Sequence, residues 1–480
     1  MTAIDATFPP LPASMPPQGP DDDAPAQAAE ASSPATPLPP DGEMLRRVFD
    51  VLDRDGLAYC VTHAYEHFPQ HIAHDVDAVV PREMLPRRLG ELLKQNESMI
   101  DGRIVQWFEE RANFIVLQGR QTSPKTGGGP VMLQLHVSCD FEVKNRIVAA
   151  GNDILATRRS FLGRFWVPAP HVEFACVLGN RIDKGNLDAV HTRQLSALWT
   201  AAPVKCSEQL ERMFRPSSVA LIGASALRNE WEPVVAALPA LRREMMVKLI
   251  AAQPLSYLWR VADKNLRRIR RWTRAGRGGL HVVFLGPDGV GKSTVIDAVQ
   301  QRLAPAFLRT NYQSFARGIL GYRKKKSPHA LPPRSLPASL IKAAWWLGCY
   351  TLGYFVSVYP TLVRGGMVIN HRYLLDAIVD PRRYRYSGPL NLLRAIWRVA
   401  PKPDIIIVLD APADVIHARK RETTLEETTR QRDAYLALAA ETPNAHVVST
   451  SQSPEQTIDA VTNILLDHMA AGVARRLKLK

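Results

Sequence analysis

The chain has 480 residues, too many for one ordinary hydrophobic core, and its 46% hydrophobic and 22% charged content excludes a fibrous or wholly disordered protein. A formal charge of +15 suits phosphorylated ligands, nucleic acid or an anionic surface, and because no recognised nucleic-acid module is visible, no specific nucleic acid is expected as a partner. The N-terminus lacks the basic start and apolar run of a secretory signal, and Cys60, Cys139, Cys176, Cys206 and Cys349 have neither metal nor redox spacing, so a cytoplasmic protein with reduced core thiols is expected.

Residues 1–42 hold eleven prolines, six acids and no Lys or Arg, a segment at −6 in a chain at +15, which leaves +21 on the rest. So little apolar surface cannot offset the entropy of ordering, and the segment reads as a disordered acidic tail. Met44, Leu45, Val48 and Leu52 stand at helical spacing, so a helix is expected from near Gly42. Apolar runs at 57–61, 76–80, 103–107, 113–117 and 131–137 read as strands, with Thr126 to Pro130 as a turn, and residues 173–198 read as helical. Residues 43–200 are therefore expected to form an α+β domain. His63, His67, His71 and His74 are spaced by three and four, but Pro69 interrupts them, and they read as a loop cluster, not a zinc site.

Residues 201–277 read as a helical connector broken near Pro254 and ending in Lys264, Arg267, Arg268, Arg270, Arg271, Arg274 and Arg277. This basic end is read as a solvated helix face in preference to a lipid contact. From 278 to 480 strand and helix alternate, with strands expected at 282–285, 367–370, 404–409 and 447–449, which implies a parallel sheet covered on both faces. Ala343 to Val363 carries no charge over 21 residues, yet its glycines, proline and tyrosines favour a buried helix over a membrane span.

Gly286-Pro287-Asp288-Gly289-Val290-Gly291-Lys292-Ser293-Thr294 fits the phosphate-loop pattern. Its glycines let backbone N–H groups approach an anion, Lys292 supplies charge to the β/γ-phosphates and the Ser293 hydroxyl is placed to ligate Mg²⁺. An apolar strand precedes the loop and a helix follows it, as the motif requires.

This loop resembles that of thymidylate kinase-like proteins in the nucleoside monophosphate kinase superfamily, over roughly residues 278–470. Supporting segments are Val368-Ile369-Asn370-His371-Arg372-Tyr373, the Arg-rich Asp380-Pro381-Arg382-Arg383-Tyr384-Arg385-Tyr386, and Leu409-Asp410-Ala411-Pro412 leading to Arg419-Lys420-Arg421-Glu422, which looks like a lid. The resemblance implies a P-loop α/β fold that binds ATP and Mg²⁺ and transfers a phosphoryl group to a nucleotide or other phosphorylated acceptor. It implies cofactor contacts from Gly286, Asp288, Gly289, Gly291, Lys292, Ser293 and Thr294, with Asp288 toward the acceptor sugar. Catalytic roles fall to Lys292, Arg372 and Arg419, with Arg383 and Arg385 as further acceptor cations. His371 departs from the pattern, since the family commonly has Asp there, and Asp376 and Asp410 are the nearby carboxylates.

Asp75 and Asp77 flank Val76 at the start of an apolar strand, so both project to one face, where they can share a divalent metal. This resembles the Asp-x-Asp signature of nucleotidyltransferases over roughly residues 43–200. The preceding Val61-Thr62-His63-Ala64 lacks the family's Gly, and the later strand offers Gln134 in place of a third carboxylate, so a degenerate domain is expected. Two rivals to a kinase follow: a nucleotide-binding scaffold without turnover, and a nucleotidyltransferase acting through Asp75 and Asp77.

Overall fold

Five strands, β1 (Cys60–Val61), β2 (Val76–Val79), β3 (Gly102–Glu109), β4 (Asn113–Thr122) and β5 (Pro130–Ser138), make a mixed sheet in the order β1-β2-β5-β4-β3. β2 and β5 are parallel and the other neighbours antiparallel. Alternation in β5 sets its faces. Val131, Leu133, Leu135 and Val137 enter a core with Leu45, Val48 and Leu52 of the helix Pro40–Arg54, while Met132, Gln134 and His136 take the opposite face. The structure is a computed structural model that describes residues 38–63, 65–72, 75–110, 112–273, 278–314, 332–421 and 423–479. The expected tail lies outside these residues as far as residue 37, and its last residues, Pro40 to Gly42, already belong to a helix.

Two ribbons follow, β6 (Phe141–Val143) with β7 (Arg146–Ala149) and β8 (Arg159–Phe161) with β9 (Phe165–Val167). The expected helix over 173–198 is two helices, Pro170–Lys184 and Ala189–Ala201, broken where Gly185 takes a φ of +71°. Phe174, Leu178 and Trp199 from these helices share one core with Leu210, Leu241 and Met245 of the following helices and with Phe214 and Trp231 in the links between them, so the border expected at residue 200 runs through that core. The connector ends in Glu232–Ala252 and Pro254–Thr273, divided at Pro254. All five cysteines are free; Cys60, Cys176 and Cys206 are buried, whereas Cys139 and Cys349 are only partly so.

The second sheet is wholly parallel: β10 (Leu280–Leu285), β11 (Thr310–Ser314), β12 (Met367–His371), β13 (Ile405–Asp410) and β14 (Ala445–Ser449), in the order β11-β12-β10-β13-β14. All six residues of β10 are buried, as a central strand with helices on both faces demands. The uncharged run at 343–363 belongs to the helix Leu336–Gly353, a π-helical turn at Tyr354–Val358 and the short helix Tyr359–Val363. Ala343, Trp346, Tyr350, Tyr354 and Leu362 bury one side of it. Among the described residues, no helix is long and apolar enough to cross a membrane.

The two sheets share apolar surface. Val105, Phe108, Phe114 and Val116 of the first pack in one cluster with Leu280, Val282 and Phe284 of β10. The C-terminal helix Pro454–Leu477 places Val461, Leu465 and Met469 in that cluster and Val473 and Leu477 in the core of the first sheet. Gln106 Nε2 donates to Gly278 O at 2.7 Å, and Arg103 pairs with Asp467 at 2.7 Å.

Candidate active site

β10 delivers the chain to the carboxyl edge of the parallel sheet, where residues 286–291 turn into the helix Lys292–Leu303. Gly286, Gly289 and Gly291 have φ values of +139°, +93° and +95°, a region that residues with a Cβ seldom adopt. A Cβ on Gly286 would come within 2.6 Å of Leu409 O, and one on Gly289 within 2.9 Å of Ile416 O and Lys420 Cβ. Gly291 has nothing within 4 Å of that position, and no side chain caps the helix that it opens. An open, uncapped N-terminus next to glycines is what an anionic oxygen needs, so these residues fit a polyphosphate. Ser293 and Thr294, in the first helical turn, are exposed, which leaves the Ser293 hydroxyl accessible to Mg²⁺.

Lys292 is buried and donates to Gly286 O and Pro287 O, 2.7 Å each, so its ammonium spans the mouth of its own loop. Burial, then the nearby Arg372, lowers its pKa to about 7. Asp288 lies 3.8 Å from Lys292 Nζ and accepts from Arg372 on one oxygen and Arg383 on the other. Burial alone would raise the Asp288 carboxyl, but Arg372, Lys292 and Arg383 together hold it well below the usual carboxylate range. Arg372 follows β12 with a φ of +80°, a strained conformation for arginine, and its N–H donates to Phe284 O at 3.2 Å. This turn aims the guanidinium back at the loop.

His371, where the related pattern has Asp, is neutral: burial and the charges of Lys292 and Arg372 lower its pKa to about 4. Neither carboxylate proposed to replace it is available to Arg372 as an ion-pair partner of first resort. Asp376 is buried and accepts from Tyr373 N and Tyr435 Oη, both at 2.7 Å, and Asp410 forms a two-pronged pair with Arg432 at 2.7 and 2.9 Å. The anionic partner of Arg372 is Asp288.

The remaining expected residues diverge. Arg385 donates to Pro332 O at 2.7 Å and is not brought to Asp288. Arg419 ends the helix Ala413–Arg419 and donates to Thr450 Oγ1 and O at 3.3 and 3.1 Å, whereas its neighbour Lys420 packs beside Gly289. Sequence reading missed Tyr435 and Arg432 because each meets its carboxylate across the fold, with no local pattern to reveal it.

In the first sheet, parallel pairing sets Asp77 opposite His136. His136 Nδ1 lies 2.8 Å from Asp75 and 3.9 Å from Asp77, and single ligand atoms of the three fall within 4.8 Å of one another, so together they can hold a divalent metal. Gln134, the residue considered for the third position, donates instead to Pro305 O. His136 stands two residues further along the same strand face, and period-2 reading of β5 was the signal for it. Of the histidine cluster, His74 lies outside the described residues, and His63, His67 and His71 occupy no helix.

No family model matches the chain. A probable thymidylate kinase of Pyrobaculum aerophilum is 27% identical over 195 residues, 38% of this chain and 95% of its own length. Thymidylate kinases of Enterococcus faecalis and Xanthomonas campestris are 25% and 26% identical over 204 and 219 residues, covering 39% and 42% of this chain and 96% and 88% of theirs. About two-fifths of the chain is therefore homologous to thymidylate kinases, and the parallel sheet with its glycine-lined loop is a kinase-like P-loop region.

Proposed function

We propose that the protein is a phosphotransferase that takes the terminal phosphoryl group of ATP, with Mg²⁺, to a nucleotide or other phosphorylated acceptor. The observation that carries this reading is the Asp288–Arg372–Arg383 cluster set beside the loop lysine. Phosphoryl transfer needs alignment and charge neutralisation more than covalent chemistry, and the site supplies planar cations next to a polyphosphate cradle. Bound ATP·Mg²⁺ supplies the phosphoryl group and its leaving group. Lys292 releases the loop carbonyls and turns to the β/γ-phosphates, and the Ser293 hydroxyl faces the metal. Arg372 and Arg383 hold the acceptor's phosphate, exchanging part of their bonding to Asp288 for it, and Asp288 is freed to accept from an acceptor hydroxyl. Lys420 and Arg421 cover the loop, and Arg419 fixes that segment through Thr450. Residues 43–277, joined by the core that crosses residue 200, and the region from 278 onward are read as the working units. Thymidylate is one candidate acceptor among nucleoside monophosphates and sugar phosphates.

ADP formation with Mg²⁺ and ATP, screened over both acceptor classes, tests the proposal. Acceptor-dependent ADP above background, lost in Lys292→Ala, supports it; ATP binding without any ADP from any acceptor establishes a scaffold instead. A second reading, nucleotidyl transfer through Asp75 and Asp77, is favoured by one observation, their convergence with His136. Pyrophosphate release in place of ADP, abolished in Asp77→Asn, is its signature.

A further inference from the structure

The helix Pro254–Thr273 is mounted with its faces reversed. Leu255, Leu258, Trp259, Ala262, Leu266 and Ile269 recur at helical spacing and define one apolar stripe. In a helix laid on a protein core that stripe turns inward. Here it is exposed, with Leu255 at 80%, Leu258 at 60% and Trp259 at 71% of their full accessibility. The inward contacts are polar: Arg260 pairs with Asp140 at 3.4 Å and with Glu142, the Arg271 guanidinium lies over Phe108 at 5.0 Å, and Arg146 covers Tyr257 at 5.0 Å. The helix is thus held to the protein by its charged side and presents its apolar side outward.

The apolar surface continues beyond the helix. Trp272, 42% exposed, packs on Tyr359 with ring centres 5.4 Å apart, and Tyr359 packs on exposed Phe355 at 5.7 Å. Val356 and Leu352 extend the exposed patch along the neighbouring helical segment. Contiguous apolar surface of this kind marks an interaction site. Charge then selects the occupant. The helix carries Arg260, Lys264, Arg267, Arg268, Arg270 and Arg271 against the single acid Asp263. Exposed Lys264, Arg267 and Arg268 border the apolar stripe, so a second copy of this surface would oppose like charge with like charge. An anionic bilayer surface matches both features, since it accepts apolar side chains and tryptophans at the headgroup boundary and draws in the flanking cations.

We propose that Pro254–Thr273, with the Trp272–Tyr359–Phe355 patch, is an interfacial helix that seats the protein on anionic phospholipid without crossing it. The helix ends seven residues before β10 begins, on the edge of the parallel sheet where the strands start, and the phosphate loop lies at the edge where they end. Seating there leaves the loop open to solution. The inference is independent of the phosphoryl-transfer reading.

The test is sedimentation of the full chain with phosphatidylcholine vesicles, with and without phosphatidylglycerol. Binding is expected only with the anionic lipid. Removing one exposed cation, Arg268→Gln, is expected to weaken it about fivefold. Leu258→Glu with Trp259→Glu is expected to weaken it by at least about tenfold while the melting temperature and ATP binding stay unchanged. No binding to anionic vesicles, or binding indifferent to the Leu258/Trp259 double variant, overturns the proposal. So does self-association, measured by light scattering, that the same double variant abolishes when vesicles are not bound.

Discussion

Asp288 is enclosed by three cations, and its removal leaves two partly buried guanidinium groups without their anion. Breaking such a pair from one side costs about 2 kcal/mol, because the surviving charges stay partly desolvated. Asp288→Asn, similar in shape but neutral, is expected to lower the urea midpoint correspondingly; an unchanged midpoint would mean that the cluster is solvated. The folded Asp288 carboxyl titrates below its ordinary value, so its contribution is present above about pH 4 and fades as the pH falls further. Lys292 is shifted down as well, and its consequence is for ligand binding. Its pKa of about 7 in the free protein means that above neutrality the ammonium must be regained when phosphates bind. ATP affinity is therefore expected to fall as pH rises above 7, by up to about tenfold per unit. Calorimetry in buffers of different ionisation heat should show close to one proton taken up at about pH 8 and little at about pH 6. Lys292→Ala should abolish that uptake along with most of the affinity.

At the scale of elements, legibility followed how local the information was. The phosphate loop was readable because strand, glycines, lysine and helix lie within about two dozen consecutive residues, each constrained by its neighbours. β5 was readable from its period of two, and its outer face carries both Gln134, which bonds to Pro305 O, and His136, which meets Asp75. β11 was missed: Thr310-Asn311-Tyr312-Gln313-Ser314 is a polar edge strand with no alternation to find. The Asp288 cluster depends on partners 84 and 95 residues away, and on a left-handed Arg372 that no residue pattern announces. The connector helix was legible as basic, but its apolar stripe went unread, and the face it turns inward depends on Asp140, Glu142 and Phe108, distant in the chain. The loop's backbone itself offers a sharp test. Gly286→Ala would force a Cβ to 2.6 Å from Leu409 O at a φ closed to alanine, which demands movement of loop or strand. Loss of about 2 kcal/mol in unfolding free energy, together with loss of ATP binding, is expected; retained nucleotide affinity would show that the loop tolerates another path.

Across the whole molecule, residues 38–480 form one compact unit, and the two sheets are bound by side chains that each needs from the other. Phe108 and Phe114 complete the core over β10, and the C-terminal helix extends from that core into the first sheet, where Val473 and Leu477 are buried. Arg476 donates to Trp107 O, which ties the same helix to β3. A chain cut to residues 278–480 would expose these apolar surfaces on both its sheet and its last helix, at about 25 cal/mol for each Å² returned to water. The P-loop region is therefore expected to lose cooperative unfolding when expressed alone. Phe108→Ala in the full chain, a cavity placed between the sheets, should cost about 3 kcal/mol and lower the melting of both halves together. Tryptophans on either side report the two halves separately, Trp107 in the first sheet and Trp346 against the second. Coincident transitions in single-tryptophan variants would confirm the coupling, and two separated transitions would show that each sheet holds its own stability.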